Sequence, residues 1–396
     1  MRVLSVTAQK PCSTGSGVYL TEVVRSLAKM GVSQAGVAGV TREDRVDMPE
    51  GVTVYPVYFS SEKLPYPVVG MSDEMPYTST RYRDMTEEMA GQFKAAFLEV
   101  LDEAIEKENP DIILCHHLYY LTALIRAHYP AKKVYGFCHN TDLRQMESIL
   151  FERNFIRQEI PKLDRIFALQ EAQKEKIKKI YPVSEKQMTV IGTGYNSEVF
   201  KKTGIKLSRK DGKIRMIFAG KITQKKGVKS LLRALNLLDY EKEKIQLILA
   251  GGAGNLVEYE EIKELADGCR YPVVFAGCVT QSRLAELYND CDIFVLPSMY
   301  EGLPLTVIES LACGDRVVMT KLEGIAEWLA DMVPDADIRY VLPPGMKGTD
   351  EPLEEELPAF ESRLAEALRE AIEEKDTKEC DVSRISWQKI AREVIR

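Results

Sequence analysis

Short runs of branched and aromatic residues alternate along the chain with longer stretches in which apolar positions return every three or four residues. The first pattern is that of buried parallel strands and the second that of amphipathic helices, so their alternation predicts βαβ units and an α/β protein. Strands are expected near 2–7, 35–40, 52–58, 111–115, 133–138, 164–168 and 188–191, then near 214–219, 245–250, 272–276, 292–296, 316–319 and 339–342. Between the two sets lies GTGYNSEVFKKTGIKLSRKDG, residues 192–212, whose glycines, lysines and turn formers predict a linker. Two doubly wound, Rossmann-like domains follow from that division. Residues 60–85, with several prolines and tyrosines and little periodicity, predict a long loop, a kind that is uncommon unless it binds something. Residues 346–358, MKGTDEPLEEELP, read as a solvated acidic loop, and ISWQKIAREVIR, 385–396, as a final helix.

A length of 396 residues exceeds what one core supports and agrees with two domains. Hydrophobic content of 45% and charged content of 29% are those of a globular protein. A net charge of −7, from 60 acidic and 53 basic residues, argues against a general nucleic-acid binder. The cysteines, at 12, 115, 138, 269, 278, 291, 313 and 380, show no CxxC spacing and read as reduced core residues of a cytoplasmic protein. MRVLSVTAQ reads as a first strand and not a signal peptide, and no run approaches the roughly 18 apolar residues of a membrane span. The cluster Lys174, Lys176, Lys178 and Lys179 is a solvated helix face or a peripheral contact for an anionic membrane.

The most informative stretch is PSMYEGLPLTVIESLACG, 297–314. A strand ends before it, and a helix is expected to begin near Pro304, where proline is tolerated in the first helical position, and to stop at Gly314. Glu301 then falls in the loop, while Glu309 projects from the second turn and leans back toward the same helix end. There the N–H groups of Leu303, Leu305 and Thr306 favour an anion. Two carboxylates beside an anion hole suit a ligand with both a diphosphate and hydroxyl groups, a nucleotide sugar; the plainer alternative is two solvated glutamates.

Other candidates leave similar alternatives. Gly15 and Gly17 let backbone approach a ligand at a helix start, or form a plain turn; Leu20 replaces the last glycine of a dinucleotide fingerprint, so an NAD site is poorly supported. Lys221 and Lys226 lie in a basic loop before Gly227 and a helix whose apolar face is Val228, Leu231, Leu232 and Leu235. Gly251 and Gly252 stand just past a strand end, facing a ligand or making a turn. His116, His117 and His139 fall at neighbouring strand ends, and His128 on a helix surface. No His-x-x-x-His or paired Cys/His spacing suited to zinc is present, so no metal is expected.

EGLPLTVIESLACG resembles the Glu-x7-Glu signature of glycosyltransferase family 4, retaining transferases of the GT-B fold, and the resemblance runs along nearly the whole chain. It implies an acceptor-binding domain over 1–200, a nucleotide-sugar-binding domain over 201–384 facing it across a cleft, and a helix over 385–396 packing back on the first. In that reading Glu309 holds ribose hydroxyls and Glu301 the donor sugar, with Gly302, Leu303, Leu305 and Thr306 beside the diphosphate. Lys221 and Lys226 stand at the Arg and Lys of the family's Gly-Arg-x4-Lys-Gly motif, and a lysine at 221 keeps the charge but loses the guanidinium fork. Gly17 and Gly251 line the donor site, and the backbone of Val279 meets the nucleobase. His139, Lys226 and Glu301 are implied as catalytic; His117, Asn140, Asp142 and Arg144 face the acceptor. The implied reaction needs no metal and no cofactor beyond the nucleotide-diphosphate sugar substrate, with UDP the commonest donor nucleotide. The acceptor is a sugar, a lipid-linked or a small molecule, and no nucleic acid is a partner. Two alternatives stand beside this: a nucleotide-sugar 2-epimerase, and a catalytically silent sugar-nucleotide binder, to which Lys221 and the Gly314–Asp315–Arg316 ending leave room.

Overall fold

A computed structural model describes the chain from Met1 to Arg396 except for Cys12, Ser13, Glu74, Ile205, Leu207, Ser208, Lys210, Gly254, Thr349, Asp350 and residues 375–379. Its contacts fall into two units, Met1–Gly194 with Trp387–Arg396, and Tyr195–Ser386. The first contains β1 (Arg2–Thr7), α1 (Gly15–Lys29), β2 (Ser33–Val40), β3 (Thr53–Tyr58), the short β4 (Val69–Gly70) and β5 (Thr80–Arg81), α2 (Glu87–Glu108), β6 (Ile112–His116) and α3 (Tyr120–His128). It continues with β7 (Lys133–Phe137), α4 (Thr141–Ser148), α5 (Arg153–Glu159), β8 (Arg165–Ala168), α6 (Glu171–Ile180) and β9 (Met188–Val190). The second contains β10 (Ile214–Ala219), α7 (Val228–Asn236), β11 (Ile245–Ala250), α8 (Leu256–Asp267), β12 (Val273–Gly277), α9 (Gln281–Asp290) and β13 (Ile293–Leu296). There follow α10 (Leu305–Ala312), β14 (Arg316–Thr320), α11 (Ile325–Met332), β15 (Ile338–Val341), the short β16 (Met346–Lys347) and β17 (Glu351–Pro352), and α12 (Leu357–Glu373). The chain then returns to the first unit as α13 (Trp387–Val394).

Each unit is built on a parallel sheet, in the order β3-β2-β1-β6-β7-β8-β9 and β12-β11-β10-β13-β14-β15. The central strands β6 and β13 are buried at every residue, which is why they read in the sequence as unbroken apolar runs. Every expected strand forms within two residues of its place. α7 buries Val228, Leu231, Leu232 and Leu235 completely and packs against α12.

Three expectations change. Residues 192–212 are not a free linker. The first unit ends at Gly194, and the next stretch is strapped to the second: Asn289 accepts the Thr203 N–H at 2.8 Å and donates to the Lys201 carbonyl at 3.0 Å, Lys206 pairs with Asp315 at 2.6 Å, and Arg209 pairs with Asp292. The acidic loop at 346–358 contains the antiparallel β16–β17 ladder and one 3-10 turn at Glu354–Glu356. The 60–85 segment, β4 and β5 included, sends Leu64, Val68, Val69 and Tyr82 into the core of the first unit, so it is a packed strap and not a loose loop. Cys12 lies outside the described residues.

α13 packs on α1, and a Cβ at Gly194 would meet Trp387 Cδ2 at 2.5 Å, so that glycine is what lets the chain pass the indole. Trp387 is buried and its ring meets Tyr19 edge-on at 4.9 Å. We expect Trp387→Ala to cost the first unit about 3–5 kcal/mol, the usual result of emptying a buried tryptophan site. Calorimetry should show one transition falling by several degrees; an unchanged thermogram would remove α13 from the core.

Candidate functional site

In the second sheet the strand order reverses between β10 and β13, and the helices that follow these strands diverge, leaving their carboxyl ends uncovered. The loops at 220–227 and 297–304 meet there. Thr223 caps the 3-10 turn Gln224–Lys226 by accepting the Lys226 N–H, and Gly227 follows at φ 74°. A Cβ at 227 would sit 2.0 Å from the Pro297 carbonyl oxygen, so the loops touch only because 227 is glycine. The Met299 N–H seals the contact by donating to the Lys225 carbonyl at 2.9 Å. These constraints bring Lys226 Nζ to 2.6 Å from Glu301 Oε1 across 75 residues of sequence. Glu309, on α10, is buried at 6% exposure, which removes the reading of it as a solvated surface charge.

α10 begins one residue later than expected. Pro304 is its cap, at φ −74° and ψ 112°, because proline fits the extended conformation of a cap as readily as the first turn. Leu305 and Thr306 open the helix, half-buried, whereas Leu303 and Gly302 belong to the loop before it. Gly314 ends it at φ 85° as expected. Gly251 is accounted for by packing: a Cβ there would lie 1.7 Å from the Gly220 carbonyl oxygen, and its N–H donates to Gly277 at 2.8 Å. Lys221 is half-buried at the end of β10, and Val279 is half-buried between β12 and the Thr280 cap of α9.

The first sheet reverses its order between β1 and β6. After β1, Thr14 caps α1 and takes the Gly17 N–H at 3.1 Å, so that amide is committed to the cap and Gly17 is buried in the first turn. After β6 and β7, three imidazoles gather: His116 Nδ1 is 3.0 Å from His139 Nε2, and the His117 ring is 4.9 Å from that of His139. The three histidines expected at neighbouring strand ends thus form one cluster, and His128 is exposed at the end of α3. Burial drives all three clustered imidazoles down, His116 and His117 to about 3 and His139 well below its ordinary value, with the neighbouring rings adding to the effect at His116 and His139. All three are neutral at pH 7, available as hydrogen-bonding groups and not as cations.

His117 and Asn140 both adopt left-handed backbone, φ 74° and 73°. Such residues cost on the order of 1–3 kcal/mol each and persist where their surroundings over-determine them. Asp142 supplies that constraint. It is fully buried, accepts the Leu118 N–H at 2.7 Å and the His139 N–H at 3.2 Å, and lies 3.5 Å from the Cys138 thiol. The expectation that Asp142 faces an acceptor is therefore corrected: a carboxylate that gathers backbone donors from both loops is turned inward, and its effect is to fix the two left-handed turns. Arg144 reaches Asp73 at 3.4 Å, and Gln145 donates to the Met71 carbonyl at 2.9 Å, which draws the 60–85 strap to the same edge. Sequence reasoning missed Tyr19, whose ring stands 5.3 Å from His139 and whose hydroxyl donates to Gly192 at 3.1 Å; only the fold brings it there.

On α6, Lys174 pairs with Glu171 and Glu185, and Lys178 with Glu175 and Glu185. Among the described residues no group of His, Cys, Asp and Glu is arranged to hold a metal, and no helix is long and apolar enough to cross a membrane.

Comparisons with known proteins agree with this geometry. Residues 13–199 match the family model described as Glycosyltransferase Family 4, and residues 200–356 the model described as Glycosyl transferases group 1. An uncharacterized glycosyltransferase of Methanocaldococcus jannaschii is 29% identical over 172 residues, 41% of this chain and 44% of the relative. The alpha-maltose-1-phosphate synthase of Mycobacterium tuberculosis is 24% identical over 253 residues, 58% of this chain and 61% of the relative, so the chain spans less than two thirds of these relatives' lengths. Among solved structures, sucrose-phosphate synthase from Thermosynechococcus elongatus superposes with a TM-score of 0.69 at 16% identity, covering 100% of this chain and 97% of that one. The Anabaena protein HepE, in complex with UDP-glucose, gives 0.66 at 14% identity, covering 100% and 98%. These likenesses show the fold, two Rossmann-like sheets of the GT-B class.

The buried imidazoles set a pH dependence. Their folded pKa values lie below the unfolded value of about 6.5, so the stability they carry is complete above that pH and is lost as pH falls toward about 3 for His116 and His117. Unfolding free energy should decline below pH 6.5 with a slope of up to about 1.4 kcal/mol per pH unit per histidine. His117→Asn, which keeps a side chain tolerant of left-handed backbone, should flatten that slope in urea titrations; an identical slope in both proteins would refute the assignment.

Proposed function

Since the chain belongs to glycosyltransferase family 4, whose two consecutive models it matches over residues 13–356, we propose that this transferase takes its sugar from a nucleotide-diphosphate sugar, with UDP as the nucleotide. The observation that carries the reading is the Lys226–Glu301 pair at the strand reversal of the second sheet, beside the start of α10 and the buried Glu309. Support for UDP comes from the structural neighbour HepE, which was solved with UDP and with UDP-glucose.

In the free protein Glu301 neutralises Lys226. An entering diphosphate, carrying more charge than one carboxylate, takes the ammonium and leaves Glu301 to accept hydroxyls of the donor sugar. The amides of Leu305 and Thr306 and the Lys221 ammonium add to the anion site, and Glu309 holds the ribose. As the bond between the anomeric carbon and the diphosphate oxygen breaks, charge grows on that oxygen, where Lys226 stabilises it. An acceptor hydroxyl forms its new bond on the same face, and its proton passes to the departing phosphate oxygen, so configuration is retained with no enzyme nucleophile. His139, on the first unit, stays neutral and is available there as a hydrogen-bonding group.

Thermal unfolding in EDTA with UDP, GDP, ADP and NAD tests the reading. UDP at a hundred times its dissociation constant should add about 2.7 kcal/mol, and Glu309→Ala should abolish the shift. A shift with NAD alone would overturn the proposal. Separately, Lys226→Ala should lower kcat by about 100- to 1,000-fold, the typical loss of one transition-state charge stabiliser; a change in KM alone would assign Lys226 to ground-state binding.

A further inference from the structure

The strap at 60–85 is held over the carboxyl edge of the first sheet at two points. Beyond β1, Gln9 Oε1 takes the Met71 N–H at 3.5 Å, and Lys10 stands 5.0 Å from the Tyr77 ring centroid. Beyond β7, Gln145 binds the Met71 carbonyl and Arg144 binds Asp73, on the helix that follows His139. The strap therefore crosses the reversal between β1 and β6, where open parallel sheets bind ligands.

The polar groups it brings divide into two sets. The charges are matched: Asp73 Oδ2 takes Arg83 at 2.7 Å and Arg144 at 3.4 Å, Lys10 pairs with Asp44 at 2.6 Å, and Arg81 with Asp84 at 2.6 Å. Among the described residues, Asp73 Oδ1, Gln145 Oε1 and His117 Nε2 are buried without a hydrogen-bond partner, the last two on side chains almost wholly buried, and the Tyr77 hydroxyl is buried with only the Lys10 backbone beside it. Buried polar atoms without partners carry a desolvation cost, which a ligand removes. Two of the four, the carboxylate and the amide oxygen, only accept hydrogen bonds, and the other two accept as well.

We propose that these atoms form the acceptor subsite, with Asp73 and Tyr77 determining specificity for a neutral polyhydroxylated acceptor, a sugar or cyclitol, whose hydroxyls donate to Asp73 Oδ1 and Gln145 Oε1. This rests on the transferase reading above. A phosphorylated acceptor fits poorly, because an anion placed against Asp73 Oδ1 and Gln145 Oε1 meets only acceptors, while the nearby cations are held by carboxylates.

The test is binding to the full chain saturated with UDP, followed by NMR titration of myo-inositol and methyl α-D-glucopyranoside against glucose 6-phosphate. The neutral ligands should bind more tightly than the phosphate. Asp73→Asn should weaken them roughly tenfold or more, and Tyr77→Phe roughly two- to tenfold, the usual range for a charged and a neutral hydrogen bond. Tyr77→Phe separates the proposal from a structural role: its hydroxyl has no side-chain partner among the described residues, so its removal should leave Tm nearly unchanged while weakening the ligand. Tighter binding of glucose 6-phosphate, no binding of either class, or an unchanged affinity in both variants would overturn the subsite. The UDP-induced thermal shift should be the same in wild type and both variants; its absence from wild type would instead reject the nucleotide-sugar reading.

Discussion

The reversal of strand order in each parallel sheet is the constraint on which the rest of the molecule depends. Parallel strands need long crossovers, these are right-handed, and where the order reverses, successive helices go to opposite sides and leave strand ends open. Both candidate sites of the described residues lie at those two openings. In the second unit it is Lys226, Glu301 and the start of α10; in the first it is the histidine cluster, the cap of α1 and the strap anchored through Met71. Polar groups gather there because elsewhere the sheets are covered on both faces and hold apolar side chains.

The two openings are built differently. In the second unit the device is close approach of backbone, Gly227 against Pro297 and Gly251 against Gly220, which lets loops from different strands touch and sets an ammonium against a carboxylate. In the first it is strain held by one buried carboxylate, since Asp142 gathers amides from the loops after both β6 and β7 and so fixes His117 and Asn140 in left-handed backbone. Burying that carboxylate raises its pKa despite its backbone donors. The cost is borne where precision in the imidazole positions has a use, which is the physical argument for a site at that edge.

Much of this was legible in the residues. Strands buried on both faces leave continuous apolar runs, so their positions could be read to within two residues, and the spacing of Glu301 and Glu309 around one helix start marked the second unit's site. What could not be read was partnership across sequence. Nothing local says that Lys226 meets Glu301, that Tyr19 stands between His139 and Trp387, or that Lys174 and Lys178 on α6 are answered by Glu171, Glu175 and Glu185. Composition misled where burial decides the outcome. Asp142 has the sequence context of a ligand-facing carboxylate and is turned inward, and 192–212 has a linker's composition yet is strapped down through Asn289, Asp292 and Asp315.

The unloaded Lys226–Glu301 contact also bears on how a charged ligand is admitted. A half-buried lysine with no counter-charge would be disfavoured, and a half-buried glutamate likewise, so each lowers the cost of keeping the other in place before any ligand arrives. Such a pair contributes little to stability in itself, about 0–1 kcal/mol where solvent reaches it, and is accordingly easy to open. A ligand carrying both an anion and hydroxyls meets the ammonium and the carboxylate at once, whereas inorganic anion engages only Lys226 and a neutral sugar only Glu301. The same two side chains thereby favour a ligand with both halves over either half alone, and this selectivity follows from their charge and placement without any further residue.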